Sequence, residues 1–261
     1  MAEQLPCPKL YEGHDAGHYT LPAEVVKARD TFQKIAAMPF PKPPRNSWET
    51  VDDVARATVD AVHAGTKLPD VTLIEQARQA ERIYQDALDM MGACQDMAAQ
   101  RARTALGEHA LDIISDHLRP AHEETWQAYQ DAHGVLNEYG EHEHRRLLNA
   151  PSKVRKAADT CDLMAERYTA IQAARGDLWL QAGVRCPEDP SGKYTAIRNF
   201  HTLHPSRLAM MRTAWHGLDP RRFLAWMADH DGQLWMPTPD EQAQAVQAET
   251  HIGQPFRSRA A

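Results

Sequence analysis

The sequence predicts an all-α protein: a long antiparallel helical hairpin or coiled-coil-like bundle with a proline-rich N-terminal extension and a small helical C-terminal module. Three observations carry that expectation. Val71 to Gln181 forms one nearly glycine-free, helix-favouring block. Within it Val154, Ala157, Cys161, Met164, Tyr168, Ile171, Arg175 and Leu178 fall at alternating spacings of three and four. Such spacing is the seam of a helix that packs lengthwise on another helix. No stretch alternates apolar and polar residues as a half-buried strand would, and no internal repeat is evident.

Composition sets the bounds. A chain of 261 residues with 43% apolar content can hold one large domain or two small ones. Mean hydropathy of -0.60 and an aromatic share of 7% suit an elongated helical body. Met1 to Pro6 shows no basic and apolar signal-peptide pattern, and no run of about 18 apolar residues is present, so a cytosolic protein without a membrane span is expected. Cys7, Cys94, Cys161 and Cys186 are scattered without a C-x-x-C pair and read as reduced. The net charge of -7 is unevenly placed: residues 71–150 carry 7 Lys/Arg against 14 Asp/Glu, and residues 191–235 carry 6 against 3. An acidic rod repels phosphates and is a poor surface for nucleic acid.

Four regions follow in order: an arm over 1–48, a helical rod over 49–182, an aromatic-rich basic module over 183–235, and a short helix with a tail over 236–261. In the arm a helix is expected from Pro22 to Ala37. Met38-Pro39-Phe40-Pro41-Lys42-Pro43-Pro44-Arg45 then excludes helix and central strand, because proline lacks the N–H and forces extended neighbours. Ser47 opens the next helix, whose apolar stripe is Val51, Val54, Ala55, Thr58, Val59 and Val62, and Gly65 ends it. Asp70 or Thr72 caps the long helix that follows, from about Val71 to Arg119. Its first seam is Ile74, Ala77, Glu81, Tyr84, Leu88, Met91, Gln95, Ala98, Ala102 and Ala105, drifting later to Leu106, Ala110, Ile113, Ile114 and Leu118. Arg119-Pro120 is the expected corner, where the chain folds back. Asn149-Ala150-Pro151 marks a second break before the seam that begins at Val154. On that last helix Arg167 falls on the expected outer face.

Cys186 to Gly192 reads as a boundary loop. Beyond it, Pro205–His216 and Pro220–His230 are expected as two helices, with Asp219 capping the second and Leu208, Met211, Trp215, Phe223, Leu224, Trp226 and Met227 packed between them. Thr238-Pro239-Asp240-Glu241 has the pattern of a capping box.

Few constellations carry chemistry. Glu141 and His144 make a single E-x-x-H, half of what a di-iron helical bundle needs. Cys7, His14, His18 and Cys186 match no common zinc spacing. Ser191-Gly192-Lys193-Tyr194 lacks the leading glycine and final hydroxyl of a phosphate loop. Lys193, Arg198, Arg207, Arg212, Arg221 and Arg222, interleaved with aromatics, form a candidate nucleic-acid or partner contact. The seam Val154, Cys161, Met164, Tyr168, Ile171 and Leu178 is the candidate packing and oligomerisation surface. The sequence therefore points to a non-enzymatic structural or assembly protein without catalytic, cofactor or metal residues, with protein partners or self-association through the rod. Its Ala, Arg and Asp usage resembles that of GC-rich actinobacterial or phage chains. The alternatives are a nucleic-acid-associated regulator using the basic module and, more weakly, a helical-bundle metalloprotein.

Overall fold

The computed structural model describes residues 5–142, 146–181, 196–198 and 219–252. Among these, all regular elements are helical: α1 (Pro8–Asp15), α2 (Ala23–Ala36), α3 (Ser47–Ala64), α4 (Thr72–Asp112), a π-helical turn (Ile113–Leu118), α5 (Arg119–Tyr139), a 3-10 turn (Leu147–Asn149), α6 (Ser152–Gln181), α7 (Pro220–Asp229) and α8 (Pro239–Ile252). One isolated antiparallel bridge joins Ile197 to Leu234. The expected helix Pro205–His216 and the loop Cys186–Gly192 lie outside the described residues.

Local chemistry fixes most helix ends. Asn46 caps α3, its side chain accepting the Trp48 N–H at 2.8 Å, and Gly65 closes it at φ 66° in the left-handed region. Asp70 caps α4 by accepting the Thr72 N–H at 2.9 Å. Asp219 caps α7 through the Arg221 N–H at 3.0 Å, with Pro220 in the first turn. Thr238 and Glu241 form a reciprocal box: the Thr238 N–H donates to the Glu241 carboxylate at 2.7 Å, and the Glu241 N–H donates to the Thr238 hydroxyl at 3.3 Å. Helix α1 falls where the sequence reads as irregular. It opens on Pro8, after Cys7 in a left-handed conformation that gives no composition signal.

The expected corner at Arg119-Pro120 does not exist. Helical backbone continues for 68 residues, from Thr72 to Tyr139. A proline inside a helix removes one donor and crowds the preceding turn. Here the π turn absorbs the cost, the Arg119 N–H reaching back five residues to the Ile114 carbonyl. Leu106, Ala110, Ile113, Ile114 and Leu118, the residues of the drifted seam, are all buried.

The chain divides into two compact units, one of Lys27–Ala102 with Leu5, the other of Pro6–Val26 and the chain from Arg103 onward. In the second unit α5 and α6 lie antiparallel. Arg167 binds Glu124 at 2.7 Å, and the Tyr168 ring lies 5.5 Å from that of His122. Val154, Cys161, Met164, Tyr168, Ile171 and Leu178 are all buried inside the chain. Phe223, Leu224, Trp226 and Met227 of α7 share one core with Tyr129, Leu136, Cys161 and Tyr168, rather than forming a module apart from α5 and α6. Helix α1 docks on α6, where the Lys9 N–H donates to Asp177 at 2.7 Å and the Cys7 thiol donates to the Asp177 carbonyl at 3.4 Å.

The first unit has a thin core. Phe32 packs on Ala98 and Ala99, with Leu5 and Ile35 at the edge. The Ser47 N–H donates to the Glu81 carboxylate at 2.6 Å, which ties the start of α3 to α4. Val54 and Ala61 are buried on α3, but Val59 and Val62, expected in the same stripe, are exposed. The stripe is narrower than its apolar content suggests, because only the positions in line with Ser47 face inward.

Candidate functional site

Two features could carry function, one in each unit. In the second unit a cleft of about 280 Å³ opens between α5, α6 and α7. Its floor is polar and aromatic. Trp126, Tyr129 and His133 follow one another along α5 at spacings of three and four, and their rings stack 6.0 and 5.7 Å apart. Beyond the end of α5 the His142 ring continues the ladder, 5.1 Å from His133. His133 Nε2 meets Asp229 Oδ1 at 2.8 Å, and Asn137 donates to the same oxygen at 3.3 Å. Burial works to raise the Asp229 carboxyl, but the hydrogen bonds from His133 and Asn137 hold it below the usual carboxylate range.

The cleft's other groups are engaged in joining elements. The Tyr129 hydroxyl donates to the Arg221 carbonyl at 3.2 Å, and the Arg221 guanidinium pairs with Asp162 on α6. Burial pushes the Cys161 thiol up to about 11, with Arg221 opposing and Asp162 assisting. A thiol held protonated at neutral pH is a poor nucleophile. The arrangement therefore acts as a polar joint between three helices, with the His133–Asp229 pair at its centre.

The expected basic contact is only partly assembled. Arg221 faces Asp162, Arg222 is exposed beside Asp219 at 3.9 Å, and Arg198 is exposed. Lys193, Arg207 and Arg212 lie outside the described residues. The apolar face of α7 is buried, and Arg222 stands on its exposed side. The E-x-x-H premise also fails locally. Gly140, at φ 76°, ends α5 before Glu141, so Glu141 is not on a helix; His144 lies outside the described residues. Glu141 instead accepts from its neighbour's His142 N–H at 2.9 Å and from Arg146 at 3.4 Å. Among the described residues no group of three or more His, Cys, Asp or Glu side chains could hold a metal ion. Of the four residues weighed for zinc, Cys7 is buried with its thiol pushed up to about 12 by burial and then by Asp177. His14 contacts the Tyr19 carbonyl at 3.3 Å, and Cys186 lies outside the described residues.

The second feature, in the first unit, is a stripe on α4 beside the expected seam. Leu73, Gln76, Ala80, Ile83, Ala87, Met90, Cys94 and Met97 of α4 alternate in spacings of three and four. They stand one residue before the members of the expected first seam from Ile74 to Ala98. Ile83, Met90 and Met97 are 60%, 63% and 59% exposed, far more than a helix seam with a neighbour would allow. Cys94 adds an exposed free thiol. The signal was available: it is the same three-four pattern, shifted by one.

No protein-family model, curated protein or solved structure matches the chain. The fold places it among all-α proteins, and no helix among the described residues is long and apolar enough to cross a membrane.

Proposed function

We propose that the protein is a non-enzymatic assembly protein, in which a packed helical platform carries a helical element that docks on protein. One observation supports this reading above all: an uncovered apolar stripe with coiled-coil spacing along α4, centred on Ile83, Met90 and Met97. A surface helix normally keeps a single apolar face. A second one, exposed, is what a helix carries when another helix covers it. The cleft around His133 supports the same reading, since its donors and acceptors bind α5, α6 and α7 to one another.

A photo-crosslinking amino acid at Met97, and a control at Arg78 on the opposite side of α4, tests the proposal in cells. Covalent adducts with a protein chain of any kind from position 97, and none from position 78, are expected. No protein adduct from 97, or the same adducts from both positions, overturns it.

A further inference from the structure

We infer that residues 39–45, the extended strap between α2 and α3, are a docking peptide for a protein domain that carries a groove of parallel aromatic rings with carboxylates at one edge. This surface is separate from the α4 stripe and takes a partner of different chemistry.

Proline chemistry fixes the strap's backbone. The rings of Pro39, Pro41, Pro43 and Pro44 lock φ, and Met38, Phe40, Lys42 and Pro43, each directly before a proline, are kept out of the helical region. Residues 39–46 carry no turn or bend. The result is a polyproline II rod, with three residues per turn and no internal hydrogen bonds. Burial follows that period: Pro41 and Pro44 are half-buried, while Pro39, Phe40, Lys42, Pro43, Arg45 and Asn46 are exposed. One edge of the rod is therefore turned inward and two are presented, a period that a slack linker would not show. Both ends are fastened. The Met38 N–H donates to the Ile35 carbonyl at 3.1 Å at the end of α2, and the Ser47 N–H donates to Glu81 at 2.6 Å at the start of α3. The rod is held in one conformation before a partner arrives, so binding costs little chain entropy.

The two presented edges define the partner. One carries Pro43 and Phe40, the latter 63% exposed. Flat prolyl and phenyl rings pack between aromatic side chains that stand parallel in a groove, the recognition mode that proline-rich rods share. Between residues 39 and 44 the rod's carbonyls have no hydrogen-bond partner among the described residues, and they suit the tyrosine hydroxyls and indole N–H groups of such a groove. The other edge carries Pro39, Lys42 and Arg45. Arg45 is already engaged by Asp53 and by Glu49 at 3.7 Å. Lys42 makes no ion pair among the described residues, so it is the cation that meets the partner's carboxylate. A phosphate surface is the wrong complement. Glu49, Asp52 and Asp53 stand exposed at the start of α3, beside the strap, and would repel it.

The test titrates the purified full chain with a panel of purified SH3, WW and EVH1 domains, which present such grooves. At least one domain is expected to bind with a micromolar dissociation constant. Phe40→Ala, Pro43→Ala and Lys42→Glu should each weaken that binding about tenfold or more. All three side chains are exposed, so circular dichroism and melting of the variants should match the wild type. Met97→Glu, on the α4 stripe, should leave the affinity unchanged. No binding by any domain at about 1 mM overturns the inference, as does binding that the three strap variants leave intact or that Met97→Glu abolishes. The two docking surfaces fail separately. Domain binding without protein adducts from position 97 in cells removes the α4 face and leaves the strap; adducts without domain binding remove the strap alone.

Discussion

His133 and Asp229, 96 residues apart in sequence, meet at 2.8 Å and tie the middle of α5 to the last residue of α7. The imidazole is almost fully buried, while the carboxylate keeps 45% of its side-chain exposure. Asp229→Asn should therefore destabilise the second unit by about 1 kcal/mol, the low end for a charged hydrogen bond because solvent reaches the carboxylate. The sign with pH follows from the depressed carboxyl. Its contribution is fully present above the ordinary aspartate range and is lost as pH falls through the lower folded value. Urea midpoints of wild type and variant should differ near pH 7 and converge in strong acid.

His122 predicts a separate acid sensitivity. Its ring is fully buried, neither nitrogen meets a hydrogen-bond partner among the described residues, and burial, then Arg175, push it down to about 4. Between the ordinary histidine value near 6.5 and about 4, the unfolded chain binds a proton that the folded chain does not, so stability falls as pH falls. The slope approaches about 1.4 kcal/mol per pH unit for one proton. His122→Phe should remove that share of the slope; equal slopes in denaturant titrations from pH 7 to 4.5 would refute the assignment.

Arg167 is not on an outer face. Its guanidinium donates to the His18 carbonyl at 2.8 and 3.2 Å and to Glu124 at 2.7 Å, which joins α5, α6 and the N-terminal arm. Arg167→Asp should lower stability by about 2–3 kcal/mol, since it removes charged hydrogen bonds and sets a carboxylate beside Glu124. Tyr168→Asp and Ile171→Asp, buried on the seam, should cost more still. Thermal melts of the three variants give the order.

Two glycines should respond oppositely to alanine. A Cβ on Gly13 would come within 2.8 Å of the Tyr19 ring, whose hydroxyl donates to the Leu10 carbonyl at 2.7 Å. Gly13→Ala should cost about 1–3 kcal/mol by overpacking. Gly134 lies exposed inside α5 with nothing within 4 Å of an added Cβ, and Gly134→Ala should stabilise by about 0.5–1 kcal/mol. Melting temperatures moving in the same direction would contradict the packing described.

What was legible in the sequence were signals confined to one turn. Gly65 as a stop, Asp219 before Pro220 and the Thr238–Glu241 box each work through residues within four positions, and the structure places them so. The seam from Val154 to Leu178 was legible because its period is regular, and all its members are buried. Pro120 was misread because whether a proline breaks or passes depends on the preceding turn, and no residue type marks a π turn. The α4 stripe stayed hidden because two apolar seams one residue apart share a periodicity, and only burial shows which faces inward. The cleft was beyond reach, since His133, Cys161 and Asp229 come from three separate helices.

The docking of the N-terminal arm on α6 has a consequence in time. The Cys7 and Lys9 contacts to Asp177 span 170 and 168 residues, and Arg167 reaches His18 across 149. During synthesis the arm emerges before α6, which lies more than 130 residues further along the chain. At about 5–20 residues per second, that is a wait of roughly 10–30 s. Through that interval Leu10, Tyr11 and Tyr19, all buried in the finished protein, have no α6 to cover them. The second unit therefore closes late, and a ribosome stalled before residue 167 would hold a chain whose α1 segment has nowhere to dock.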